Sequence, residues 1–145
     1  MKVLKTAPLA LALFAWSGMA FASGQLSIRD AWIRTPPPGA RMLAGYAVLR
    51  NGGEQSIAVT GADSTDFASA SLHESSETNG VERMRALERV DVGPQREVAL
   101  KPGGMHLMLM QPRRELKAGD RVVLHLQTAD GQGGVADFVV RDDAP

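Results

Sequence analysis

An all-β sandwich or barrel is the fold class this sequence predicts, on three observations. Short apolar and β-branched runs recur along it, turn-forming residues separate them, and no amphipathic stretch reaches helical length. The first run, Gln25 to Arg34, stops at Pro36-Pro37-Pro38-Gly39, and the second, Met42 to Arg50, stops at Asn51-Gly52-Gly53. Ser56 to Gly61 and Ser69 to His73 follow, and Asn79-Gly80 then introduces Val81 to Val90. Glu97 to Leu100 ends at Lys101-Pro102-Gly103-Gly104, which opens Met105 to Met110. Ala118-Gly119-Asp120 precedes Arg121 to Thr128, and Gly131-Gln132-Gly133-Gly134 precedes Ala136 to Arg141. Proline, glycine and asparagine at these breaks supply the fixed or positive φ angles that reversals need.

Composition bounds the function. The chain has 145 residues with 16 basic and 16 acidic side chains, so it carries no basic footprint for nucleic acid or an anionic membrane. Residues 1–22 read as a secretory signal: Lys2 and Lys5, an apolar run from Ala7 to Trp16, and Ala20-Phe21-Ala22 as the cleavage pattern. Residues 23–145 then form one domain, slightly acidic once the two signal lysines are removed, and placed in the periplasm. The chain contains no cysteine, so disulfides contribute nothing and any metal site is built without thiolates.

Within that frame, four residues stand out. His73, Met84, His106 and Met108 occur in the spacing H-x10-M-x21-H-x-M. Two imidazoles and two thioethers form a soft, uncharged donor set, suited to Cu(I) and poorly suited to zinc, magnesium or calcium. Alternate strand residues share a face and lie about 6.6 Å apart, so His106 and Met108 point the same way while Met105, Leu107 and Leu109 face the core. His73 and Met84 flank a hairpin around Thr78-Asn79-Gly80, and a four-residue connection from Glu77 to Gly80 would set them directly opposite each other. Methionine is an ordinary core filler, but two of only three histidines fall on the motif. The third, His125, shares a strand face with Arg121 and Gln127 and reads as an exposed polar residue outside the site. Met110 has the parity of His106 and Met108 and lies one pleat further on; it could line the site or plug the end of the core, and the core is favoured. Trp32 and Tyr46 read as core or rim packing. Glu74, Glu82, Arg83 and Arg85 flank the motif and fit either steering of a docking partner or a solvated strand edge, and Arg113-Arg114 reads as decorating a loop rather than binding phosphate.

These features resemble the periplasmic PCuA(C) copper chaperones. The likeness rests on the motif itself, on Lys101 to Met110 (KPGGMHLMLM), on Leu116-Lys117-Ala118-Gly119-Asp120, and on Asp30-Ala31-Trp32-Ile33-Arg34 followed by Pro-Pro-Gly. It implies a single cupredoxin-like Greek-key β-sandwich or barrel, Cu(I) held by His73, Met84, His106 and Met108, and a monomer. It further implies delivery to the dinuclear copper A centre of cytochrome c oxidase, with oxidase subunit II as acceptor and a Sco-type protein alongside. The sequence departs from many relatives in having Glu74-Ser75-Ser76, without an extra methionine, after the first histidine. It also has no His- and Met-rich tail past Asp142.

Two other roles fit parts of the pattern. The same ligands could buffer copper or silver without handing it on, and a metal-free β-sandwich interaction module could use the methionines only for packing. Enzymatic action finds no support: a blue-copper carrier needs a cysteine, and no G-x-S-x-G elbow places a serine beside a histidine.

Overall fold

The computed structural model describes residues 26–145; the expected signal, 1–22, lies outside the described residues. Ten strands follow in chain order: β1 (Leu26–Arg34), β2 (Met42–Asn51), β3 (Ile57–Asp63), β4 (Phe67–Thr78), β5 (Val81–Leu87), β6 (Val90–Val92), β7 (Glu97–Leu100), β8 (Met105–Pro112), β9 (Arg121–Thr128) and β10 (Gly134–Arg141). No helix occurs among the described residues. The sheet runs β5-β4-β8-β2-β1-β10-β9-β3-β6, and an Ala62↔Ala70 pairing between β3 and β4 closes seven of these strands into a barrel. Among the described residues, the strand pairings are antiparallel except that of β1 with β10. β5, β6 and β7 sit outside the closed ring, on β4, β3 and β2.

Period-two patterning decides which residues fill the barrel. β9 alternates without a fault, with Val122, Leu124, Leu126 and Thr128 buried and the residues between them exposed. Ile33, Leu49, Leu72, Leu107, Leu109, Phe138 and Val140 meet these in one core. Each such side chain contributes roughly 1.5–3 kcal/mol by leaving water, which substitutes for the disulfides the chain lacks. Gly45 permits the tight centre: a Cβ there would lie 3.4 Å from both Leu107 Cβ and Leu109 Cδ1 and 3.8 Å from the Phe138 ring.

Three departures from the sequence reading have physical causes. β4 extends through Thr78 because its polar second half pairs with β5 in a hairpin arm, where no apolar alternation marks a strand. The expected run from Val81 to Val90 is two strands, since β5 stays with β4 whereas β6 crosses to β3. The hairpin turn is Asn79-Gly80 alone, with φ of 53° and 75°, the paired positive angles of a tight two-residue reversal. Thr78 therefore faces Val81, and the register differs from the expected four-residue connection by two.

In β1 the register shifts between Arg29 and Trp32, with Asp30 at φ 51°. This bulge flips the strand's parity. Leu26 and Ile28 pack on the core before it, Ile33 does so after it, and Trp32 is left on the outer face opposite Tyr46.

Candidate metal centre

The outer face of β5, β4 and β8 carries all four motif residues. His73 and His106 are direct cross-strand partners, with ring centroids 6.1 Å apart and planes tilted by 35°. Ser71 faces Met108, Ser75 faces Met84, and Ala86 faces His73. The expected His73–Met84 pairing is thus corrected to a diagonal one. Because the register moved by two residues, Met84 kept its face. Direct partners hold their Cβ atoms about 4.5–5.5 Å apart and diagonal ones about 7–8 Å, within reach of long side chains. His73 is therefore the hub, with His106 beside it and Met84 and Met108 on its two diagonals. Leu72, Leu87 and Leu107 occupy the reverse face and anchor the three strands to the core.

Burial is graded across the site. His106 is 4% exposed, His73 and Met108 are half-buried, and Met84 on the outermost strand is 50% exposed. The cluster opens to solvent at Met84.

Hydrogen bonds fix the imidazoles. His106 Nδ1 lies 3.0 Å from the Gly104 carbonyl, which can only accept, so Nδ1 carries the proton and Nε2 keeps its lone pair. The same carbonyl accepts from the Ser75 amide at 3.0 Å, tying the Lys101–Gly104 turn to β4 beside the site. His73 Nε2 lies 3.1 Å from Ser71 Oγ, and its Nδ1 is buried with no partner. An unmet buried polar atom costs about 1–3 kcal/mol, and a cation accepting that lone pair would recover it. Burial, reinforced by the neighbouring His106, pushes the His73 pKa below its ordinary value and favours the neutral ring that ligation requires.

Aromatic side chains wall the closed end. The Tyr46 ring lies 6.4 Å from that of His106, Trp32 stacks 4.6 Å from Tyr46, and the Arg34 guanidinium sits 5.8 Å from the centre of the Trp32 ring. Burial raises the Tyr46 pKa against a lowering effect of Arg34. Tyr46's place was readable from strand parity, since Leu43, Ala47 and Leu49 alternate inward around it. Trp32's place depends on the Asp30 bulge, which leaves no mark in the sequence.

The remaining assignments divide. His125 is exposed on β9 against Val135 and Asp63, away from the motif, as expected. Met110 is corrected: it lies on the outer face with Met108, paired to Met42 and Ser69, and takes no part in the core. Glu74 is engaged by Arg85 at 2.6 Å, on the opposite face of the hairpin from His73, and Arg114 pairs with Asp66 at 2.7 Å. A cleft of about 640 Å³ between the Pro36–Arg41 loop and Gln111–Ala118 contains none of the four motif residues.

Among the described residues no three His, Cys, Asp or Glu side chains converge. A cation at this face finds two imidazoles and must complete its shell with thioethers or water, an arrangement that favours a soft ion.

Comparison with known proteins agrees with the fold. The chain superposes on the copper-bound PCuAC domain from PmoF2 with a TM-score of 0.67 and 22% identity, covering 86% of this chain and 97% of that one. CuI-DR1885 from Deinococcus radiodurans gives a TM-score of 0.66 and 26% identity over 86% of this chain and 84% of that one. The cupredoxin-like fold expected from the sequence is therefore the one these domains share. A protein of Leifsonia xyli subsp. xyli named "Putative lipoprotein Lxx21020" is 31% identical over 120 residues, 81% of this chain and 70% of its own. Residues 26–140 match the sequence model of the family described as "Putative lipoprotein LpqE-like". The chain belongs to the LpqE-like family and has the fold of PCuAC domains.

Proposed function

We propose that the protein is an exported Cu(I) carrier that holds the ion through His73, Met84, His106 and Met108 and passes it to another copper protein. The observation that carries this reading is the His73–His106 pairing with a methionine on each diagonal of His73, all on one solvent-reachable face. The orphaned His73 Nδ1 and the free Nε2 of His106 supply two lone pairs. Structural neighbours named as copper-bound and Cu(I) forms support the choice of ion.

The donor set suits transport. Thioethers do not titrate and bind weakly enough to be replaced singly, so an incoming ligand can take the place of Met84 before the imidazoles let go. Copper remains Cu(I) throughout, and only donor lone pairs exchange. The imidazoles supply affinity and must be unprotonated to do so. Exposure of Met84 on an edge strand favours handover over sequestration. The acceptor in this reading is the dinuclear copper A site of cytochrome c oxidase subunit II, with a Sco-type protein alongside and the exchange taking place in the periplasm. Binding and release account for every named group, and no catalytic step is assigned.

X-ray absorption on the Cu(I) protein tests the site: two nitrogen and two sulfur neighbours are expected, and a sulfur-free shell overturns it. Incubation with apo subunit II tests the role, with copper appearing in the acceptor as the expected result. Retention of all copper by the carrier would identify a buffer instead.

A further inference from the structure

Met42 and Met110 are direct cross-strand partners on β2 and β8, and they share the outer face with Met108, two residues along β8. Their environment does not explain them as packing. Met42 is 58% exposed, and neither side chain belongs to the core or packs against it. The neighbouring outward positions are small: Ala44 faces Met108, Ser69 faces Met110, and Ser71 faces Met108. An outward apolar pair, Met42 exposed and Met110 half-buried, flanked by small residues and outside the core, contributes little packing stability, yet it presents two thioethers on adjacent strands. Direct partners place their Cβ atoms about 4.5–5.5 Å apart, close enough for two flexible methionines to grip one ion between them. One strand step of about 6.6 Å then separates Met110 from Met108.

We propose that Met42 and Met110 form a second, thioether-only station for Cu(I), through which the ion reaches or leaves the four-donor site by way of Met108. The transfer to the inner site rests on the proposed four-donor reading; the station itself does not. Each step replaces one sulfur lone pair by another, with no proton released and no change in oxidation state. With two neutral sulfurs and no imidazole, the station is the weaker of the two.

Ag(I), a soft ion that does not change oxidation state, is the probe, added to the full chain labelled with 13C at the methionine methyls. The first equivalent is expected to shift Met84 and Met108, and the second to shift Met42 and Met110 while Met105 stays in place. In Met42→Leu/Met110→Leu, a volume-conserving pair of changes, the second event should vanish and the first persist. In His73→Gln/Met84→Leu, Met42 and Met110 should still respond. Met42 and Met110 signals that stay fixed while Met84 and Met108 move would overturn the station and leave the four-donor site standing. Met42 and Met110 signals that move while Met84 and Met108 never do would support the station and remove the four-donor site.

Discussion

His73 and His106 face each other across adjacent antiparallel strands, with ring centroids 6.1 Å apart, although 32 residues separate them in the chain. The pairing makes His73 the hub of the face, because Met84 and Met108 reach it from opposite diagonals. Burial, and after it the neighbouring His106, discourages protonation of His73 and lowers its pKa.

Replacing Met84 by leucine should separate binding from folding. Met84 is half-exposed on an edge strand, so the change should alter stability by no more than about 0.5 kcal/mol. Met108→Leu, at a half-buried position, should cost under about 1.5 kcal/mol as a volume-conserving swap. Both should weaken Cu(I) binding at least tenfold in competition with a chromophoric chelator. If either variant binds copper like the parent but unfolds in markedly less urea, methionine at that position is structural.

Much of this arrangement could be read from the residues alone. The H-x-M run placed His106 and Met108 on one face because strand parity is local, and Asn79-Gly80 located the hairpin. The hairpin's loop length was not readable to within two residues, since Glu77 and Thr78 are polar and pair as readily as they loop. That error changed which residue faces Met84 but not which side it lies on. The adjacency of β4 and β8 could not be read, because it depends on barrel closure and three intervening strands, β5 to β7. Trp32 reached the site's wall through a bulge at Asp30, where a positive φ is borne by a residue other than glycine. Met110 was misassigned because an outward methionine and an inward one look alike without the register.

Acid should weaken the apo fold first and release the ion at lower pH. Above the ordinary imidazole value of 6.5, His73 is neutral in both the folded and unfolded chains. As pH drops below 6.5, the unfolded chain takes up the proton first, because burial holds the folded pKa lower. Stability attributable to His73 therefore falls across the window between 6.5 and its folded pKa and is constant below it. Chemical denaturation of apoprotein in that window should show a smaller slope with pH in His73→Gln. Cu(I) affinity of the folded protein should decline below that window, once His73 in the folded chain itself takes up a proton. Affinity that stays flat through the pH at which NMR shows His73 of the apoprotein taking up its proton would remove His73 from the ligand set.

Ser71 should matter without touching the ion. Its hydroxyl lies 3.1 Å from His73 Nε2 and leaves Nδ1 as the buried nitrogen without a partner. When the Nε2 proton is donated to Ser71, the lone pair resides on Nδ1, so the serine provides an acceptor for the tautomer competent to bind there. Ser71→Ala removes that acceptor and leaves the ring free to rotate. Partners of this kind are worth about 10- to 100-fold in metal affinity, and a loss near the lower end is expected because Ser71 is only half-buried. Ser71→Thr, which restores the hydroxyl on a β-branched side chain suited to a strand, should recover most of the loss. Nitrogen NMR of the imidazoles supplies a readout that a packing role would not move: Ser71→Ala should shift the His73 tautomer balance and leave His106, held by the Gly104 carbonyl, unchanged. An unaltered His73 spectrum together with parent-like affinity would rule out a positioning role for Ser71.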